Sequence, residues 1–174
     1  MDNPPIESSN ILDQYKFIQT MIGAIASIIG GFFAVIIRSR VEKKQQLDYL
    51  KISLADELHD IVSIIEKMSE TFTKTDNIHN DYINSLTANA ESFNATKQKL
   101  FIIEKEDLRR DIIGFYKKLS ETNKDSINKV GSLAEESKIN PNNEIIRKFE
   151  ALSATATAIK QKIKAYKYCA FWVI

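Results

Sequence analysis

The chain has 174 residues and a formal net charge of +1. This length suffices for one domain plus a membrane anchor, and the balanced charge excludes an obvious polyanion binder. Only 5 Gly and 3 Pro are present, whereas sheet-rich and nucleotide-binding folds need glycines in turns and phosphate loops. We therefore expect an all-α protein. The single cysteine, Cys169, cannot form an intramolecular disulfide, which favours a reducing compartment for that part of the chain.

Residues 17–37 form a long apolar stretch without any charged residue. About twenty apolar residues cross a hydrocarbon core of roughly 30 Å, and a soluble helix is rarely apolar on every side. A cleaved signal peptide would begin with basic residues and be shorter, but this chain begins with Asp2, Glu7 and Asp13. The sequence predicts a single N-terminal transmembrane helix within residues 11–40, after an extracytoplasmic tail of residues 1–10.

Basic residues flank the predicted span on its C-terminal side. Arg38, Arg40, Lys43 and Lys44 follow the span, whereas Lys16 is the one basic side chain before it. Basic residues concentrate on the cytoplasmic side of membrane helices. We therefore expect the N-terminus outside, these four cations at the inner membrane interface, and residues 41–174 in the cytoplasm as a helical bundle.

The predicted span has a bulky stripe and, opposite to it, a stripe of small residues: Thr20, Gly23, Ala24, Ser27, Gly31 and Ala34. Gly23, Ser27 and Gly31 are spaced four apart, a pattern that lets helix backbones approach closely. We interpret the stripe as a helix-contact face. In an oligomer it would alternatively line a narrow pore through its hydroxyls, and a third interpretation is that glycine is simply common in membrane helices.

Phe32 and Phe33 lie near the inner end of the predicted span. A ring that points into a pore would form a hydrophobic constriction, which gates channels by dewetting. These residues are therefore the candidate gate, although the preferred interpretation is that both rings face lipid.

Beyond the span, apolar residues at spacings of three and four predict four antiparallel helices. The first continues the membrane helix through residues 38–72 and ends at a polar stretch, residues 71–77. The second covers residues 78–93, followed by an ambiguous stretch at residues 94–104. The third covers residues 106–137 and includes Ile127 on its apolar stripe. The fourth begins at Pro141 with Asn140 as its cap.

The up-down order of four helices would return the C-terminus to the inner membrane face. Lys164 and Lys167 stand there, followed by Trp172. Lysines and aromatic residues suit an interface with anionic headgroups. The alternative is that the tail packs against the base of the bundle or against a neighbouring subunit.

No pattern of catalytic or metal-binding residues emerges from the sequence. His59 follows Asp56 by three positions, but a di-iron bundle needs a Glu-x-x-His pair on two helices, and the chain has none. Cys169 has no histidine near it in sequence to activate it. Arg109 and Arg110 would suit a phosphate-bearing ligand, yet interleaved acidic residues favour a solvated, mixed-charge face. We expect no enzymatic activity, no cofactor and no metal.

Two segments resemble helices of known proteins. Residues 107–119 read Asp-Leu-Arg-Arg-Asp-Ile-Ile-Gly-Phe-Tyr-Lys-Lys-Leu, with Asn123 following, and residues 47–58 read Leu-Asp-Tyr-Leu-Lys-Ile-Ser-Leu-Ala-Asp-Glu-Leu. Both resemble helices of small bacterial proteins with one N-terminal membrane helix and a cytoplasmic helical domain. Some of these resemble anti-phage effectors, including the channel subunit of the Hailong system. The resemblance implies an inner-membrane ion channel that is closed until infection, and it transfers no site residue.

Two functions are consistent with these observations. The first is a homo-oligomeric, ion-conducting effector of bacterial antiviral defence, whose partners are the lipid bilayer and further copies of the chain. A single helix cannot enclose a pore, so this function requires several copies. The second is a membrane-tethered scaffold or sensor that recruits a soluble partner. The sequence does not identify a cytoplasmic regulator, whether protein, nucleotide or nucleic acid.

Overall fold

The computed structural model describes residues 8–75, 78–131 and 141–167. These residues form four α-helices: α1 (Ser8–Thr75), α2 (Asn80–Lys97), α3 (Glu106–Gly131) and α4 (Pro141–Ala165). A 3₁₀ helix, Gln98–Ile102, follows α2 directly. The chain divides into two units, Met1–Gln45 and Gln46–Ile174. The predicted all-α fold is confirmed.

The second unit is organised around one hydrophobic core. The predicted stripe of α1 is buried there, with exposed fractions of 9% or less: Leu47, Leu50, Leu54, Leu58, Ile61, Ile65, Met68 and Phe72. The other helices complete the cluster with residues such as Leu86, Phe115 and Phe149. Burying one such side chain contributes roughly 1.5–3 kcal/mol relative to leaving it in water, so this core holds the four helices together.

Hydrogen bonds between α1 and α4 fix their direction. The Lys51 Nζ atom donates to the Tyr166 carbonyl oxygen at 2.6 Å, and the Ser69 Oγ atom donates to Glu150 Oε1 at 2.8 Å. Residue numbers rise along α1 from Lys51 to Ser69, while the partners' numbers fall from Tyr166, just after α4, to Glu150 within it, so the two helices are antiparallel. The packing of α2 against α3 and of α3 against α4 completes the predicted antiparallel arrangement.

The first helix ends at Thr75, inside the predicted polar stretch at residues 71–77. The hydroxyls of Thr71, Thr73 and Thr75 donate to the carbonyl oxygens of Lys67, Ser69 and Thr71 at 2.8–2.9 Å. Such bonds to the carbonyl four residues back are compatible with helical backbone. The polar threonines therefore lie at the end of α1, which extends three residues beyond residue 72, the expected last residue of its apolar stripe.

The predicted stripe of α3 is correct up to Leu119 and wrong at Ile127. Ile127 is 49% exposed, while Asn123 and Ser126 are 2% and 1% exposed. At about 100° per residue, Ser126 falls at the same angle as Leu108, and Ile127 lies about 100° away from it. Polar residues therefore occupy the core-facing positions here. The predicted extension of this helix to residue 137, and the Asn140 cap, lie outside the described residues.

The second helix begins at Asn80 instead of residue 78, since the Tyr82 amide is the first to bond back, to the His79 carbonyl oxygen at 3.1 Å. The ambiguous stretch at residues 94–104 divides between the end of α2 and the 3₁₀ helix. The predicted start of α4 at Pro141 is confirmed. Proline favours this position because its missing N–H would have no helical partner there.

Candidate functional site

The apolar stretch near the start of α1 is exposed along its whole length. Within the described ranges, Gln14–Thr75 is the one helix long and apolar enough to cross a membrane, and none of its apolar stretch is buried inside the chain. Its large exposed side chains are Tyr15, Phe17, Ile18, Met21, Ile22, Ile25, Ile28, Ile29, Phe32, Phe33, Val35 and Ile37. Leaving so many apolar side chains in water costs about 25 cal/mol per Å², which favours an apolar surrounding.

Helix geometry brings the six predicted small residues onto one side of α1. At about 100° per residue, the positions from Thr20 to Ala34 fall within an arc of about 100°. A Cβ atom added at Gly23 or Gly31 would meet nothing within 4 Å. The space beside these glycines is therefore open to another helix. The Thr20 hydroxyl donates to the Lys16 carbonyl oxygen at 2.9 Å, so its proton is already bonded within the helix.

The two phenylalanines of the candidate gate lie away from the small-residue face. Phe32 and Phe33 are 66% and 59% exposed. Each lies about 130° from the centre of that face, on opposite sides of the helix. A constriction made by either ring therefore requires a pore lined by another side of α1. The gate stays a prediction, and the helix-contact role and the gate role belong to different faces.

The basic flank of the span is partly neutralised. Arg38 Nε pairs with Glu42 Oε1 at 2.8 Å, both side chains being exposed. Arg40, Lys43 and Lys44 are exposed and have no ion pair within the described part of the chain. Three full positive charges therefore follow the apolar stretch. Of the residues predicted at the C-terminal membrane interface, Lys164 and Lys167 are exposed, and Trp172 lies outside the described residues.

A polar cluster at the edge of the core joins three helices. The Ser92 hydroxyl of α2 donates to Glu57 Oε1 of α1 at 3.3 Å. The buried Tyr116 hydroxyl of α3 lies near the same carboxylate without the geometry of a standard hydrogen bond. The Tyr116 ring stacks on Phe93 with centroids 3.8 Å apart. Sequence reasoning missed this cluster because its members are far apart in the chain.

Burial dominates the electrostatics of this cluster. Burial raises the pKa of Glu57 above its usual value, the Ser92 and Tyr116 hydroxyls oppose that rise, and the charge of Asp60 adds to it. Burial also raises the pKa of Tyr116, and the Glu57 charge raises it further. The cluster has one acid and no adjacent nucleophile and base of the kind that covalent catalysis uses, so we interpret it as a structural feature.

The remaining sites considered from the sequence are solvated. Asp56 and His59 are both exposed on α1, and the described residues contain no group of three or more His, Cys, Asp or Glu side chains placed to hold a metal. Arg110 Nη2 pairs with Glu106 Oε1 at 2.9 Å, as expected for a mixed-charge helix face. The basic start of α3 is therefore balanced by its own acidic residues.

One groove was not anticipated. It has a volume of about 370 Å³ and lies between α1 and the segment around the 3₁₀ helix, lined by Gln46, Tyr49, Leu50, Ser53, Thr96, Lys99, Phe101 and Ile102. Residues 100–103 form an apolar run of four. Leu100 and Ile103 are buried, but the Phe101 ring is 72% exposed. The signal that could have identified it is a four-residue apolar run, which a short helix cannot bury on all sides.

Comparisons of the chain with protein families, with curated proteins and with solved structures found no match. Over the residues that the structure describes, the fold and the exposed apolar stretch define the class: an all-helical protein with one candidate membrane span and a four-helix bundle. Any assignment beyond that class depends on the chemistry of the residues themselves.

Proposed function

We propose that the protein is a non-enzymatic, single-pass membrane protein whose span is residues 17–37. The observation that carries the proposal is that this stretch is apolar on all sides and fully exposed. A core helix of similar composition would be buried within its own domain. Because Arg40, Lys43 and Lys44 follow the span, the N-terminus is outside and the bundle is cytoplasmic.

The span self-associates through the small-residue face. Lipid tails are as apolar as leucine, so membrane helices associate mainly by close packing of small residues. Support comes from the open space beside Gly23 and Gly31 and from their location on one arc with Ser27. Copies of the chain are the partners that this face fits, since the span has no second helix of its own within the described residues.

The assembled spans form an ion-conducting effector of bacterial antiviral defence. This step is supported by the need for several copies to surround a pore and by the resemblance of residues 47–58 and 107–119 to helices of such effectors. A cytoplasmic bundle directly following the span would couple a cytoplasmic signal to the membrane helices. The signal itself, whether protein, nucleotide or nucleic acid, is not identified by the residues.

The test is planar-bilayer conductance of the purified full-length protein, with its mass measured in detergent on the same sample. The variant Gly23→Leu/Gly31→Leu keeps the span apolar while filling the contact face. The matched control, Ile22→Leu/Ile29→Leu, changes two positions on the opposite side of the helix. We expect the glycine variant to lower the oligomer association constant by about tenfold or more, equivalent to roughly 1.4 kcal/mol, and to abolish currents.

The control variant is expected to retain both the oligomer and the currents. Equal loss in the two variants would contradict assembly through the small-residue face. A wild-type protein that is a silent monomer would contradict the channel and favour the second function, a membrane-tethered scaffold. That alternative is favoured by one observation, namely that the bundle is a separate unit with its own core.

A further inference from the structure

One end of the bundle exposes large apolar side chains around the unanticipated groove. Tyr49 is 74% exposed and Phe101 is 72% exposed, and both line this groove. Ile52, one turn along α1 from Tyr49, is 62% exposed. Isolated apolar side chains at a surface are ordinary, whereas clustered ones mark an interaction site.

Lysines surround the same end of the bundle. The Tyr166 hydroxyl accepts a hydrogen bond from the Glu104 amide at 3.2 Å, and the Tyr166 carbonyl accepts one from Lys51. The residue after α4, the segment just before α3 and the start of the bundle segment of α1 therefore meet here. The exposed lysines of this region are Lys99, Lys105, Lys164 and Lys167, and none of them has an ion pair among the described residues.

The acidic side chains nearby are partly engaged. Asp111 Oδ2 pairs with Lys162 Nζ at 2.7 Å, and Glu106 pairs with Arg110. Three exposed carboxylates have no ion pair among the described residues: Asp48, Glu104 and Asp107. The groove itself is lined by one charged residue, Lys99. The surface therefore combines exposed rings with four unpaired lysines, which outnumber its three unpaired carboxylates, and this composition suits the interfacial layer of an anionic membrane.

The length of the chain limits how far this surface can lie from the membrane. Eight residues, 38–45, separate the proposed span from Gln46, which lines the groove. Even a fully extended chain of that length reaches only about 30 Å. Tethering at this distance keeps the local concentration of lipid headgroups high at the groove.

We propose that this end of the bundle docks on the anionic inner surface of the bilayer, with Phe101 and Tyr49 among the headgroups and the four lysines on their phosphates. The inference rests on the proposed membrane span. A second copy of the chain is the alternative occupant. The docked surface gives the bundle a lipid-dependent position, so a cytoplasmic signal could act by releasing it.

The experiment uses the full-length protein in nanodiscs, in a Cys169→Ala background. An environment-sensitive fluorophore is attached at Phe101→Cys, and quenching by lipids that carry a quencher near the headgroup is measured. The control site is Ile127→Cys, which is also an exposed apolar position but lies about 30 Å along α3 from its start. A label at Ile28→Cys, with a quencher deep in the acyl chains, reports whether the span itself is inserted.

We expect strong quenching at residue 101 in nanodiscs that contain phosphatidylglycerol, weak quenching in phosphatidylcholine alone, and none at residue 127. Replacing Lys99 or Lys105 by Gln should lower the ratio of docked to undocked label by about fivefold each at low salt, and high salt should also lower this ratio in the unsubstituted protein.

Quenching at residue 28 without quenching at residue 101 would overturn the docking alone. No quenching at residue 28 would overturn the proposed span. A different result is that the label at residue 101 becomes less accessible to water as the number of protein copies per nanodisc rises, without being quenched by lipid. That result would show that a second copy of the chain covers the surface, and it would overturn the lipid assignment.

Discussion

Two regions of the same helix, α1, differ in whether their apolar side chains are buried. In residues 17–37 every large apolar side chain is at least half-exposed apart from Met21 and Ile36, and none is buried. In residues 46–75 most apolar positions form one buried stripe, whereas Tyr49 and Ile52 are exposed and Val62 and Ile64 are half-buried. Both regions are helical, so backbone hydrogen bonding does not distinguish them. The apolar side chains of residues 46–75 are buried against other parts of the chain, whereas those of residues 17–37 need an apolar surrounding outside it.

The largest effect should come from a cavity in the bundle core. Phe149→Ala removes a side chain that is fully buried, so we expect a loss of about 3–5 kcal/mol in the free energy of unfolding. Phe32→Ala, in the exposed region, should change that free energy by less than about 0.5 kcal/mol. Denaturant unfolding followed by circular dichroism in detergent measures both. Comparable losses in the two variants would mean that Phe32 packs against the bundle and that residues 17–37 are not exposed.

A charged residue placed in the apolar stretch tests whether residues 17–37 span the bilayer. Ile28 is 72% exposed and near the middle of the proposed span, and a lysine at the centre of a membrane helix costs about 2.5–3.5 kcal/mol. We expect Ile28→Lys to reduce the membrane-integrated fraction in a carbonate extraction assay. Ile127→Lys, on an exposed position of the bundle, should leave that fraction unchanged. If Ile28→Lys integrates as well as the wild type, residues 17–37 do not span the bilayer.

The smallest effect concerns the carboxylate at the edge of the core. Since burial raises the pKa of Glu57 in the folded protein, its protonated form is favoured by folding. The resulting stability is fully present below the pKa of the unfolded chain and is lost as pH rises through the folded pKa. Glu57→Gln should therefore stabilise the bundle slightly at pH 7 and flatten its pH profile above about pH 4.5.

Unfolding midpoints measured from pH 4 to pH 8 test this expectation. The matched control is Glu70→Gln, since Glu70 is exposed on the same helix and its substitution should leave the profile unchanged. An unaltered profile in Glu57→Gln would show that Glu57 is solvated as fully in the folded as in the unfolded protein.

Much of the fold could be predicted from local patterns. The stripe from Leu47 to Phe72 was predicted from its spacing alone, because one face of a helix must be apolar to pack on neighbours. The start of α4 was predicted from Pro141, whose geometry suits a first helical position. The candidate span needed only the absence of charge over residues 17–37. The orientation, the contact face and the gate stay predictions, since each depends on a membrane or on further copies.

What the sequence by itself determined is the set of helices and the separation of the apolar stretch from the bundle. Periodicity and charge carry that information locally, within one or two turns. Only the tertiary structure decided that Asn123 and Ser126 occupy the core side of α3, that Glu57 meets Ser92 and Tyr116, and that the Phe101 ring is exposed. Each of these depends on which elements approach one another and at what angle. Contacts between residues tens of positions apart are set by the packing of whole helices, and no local pattern encodes that packing.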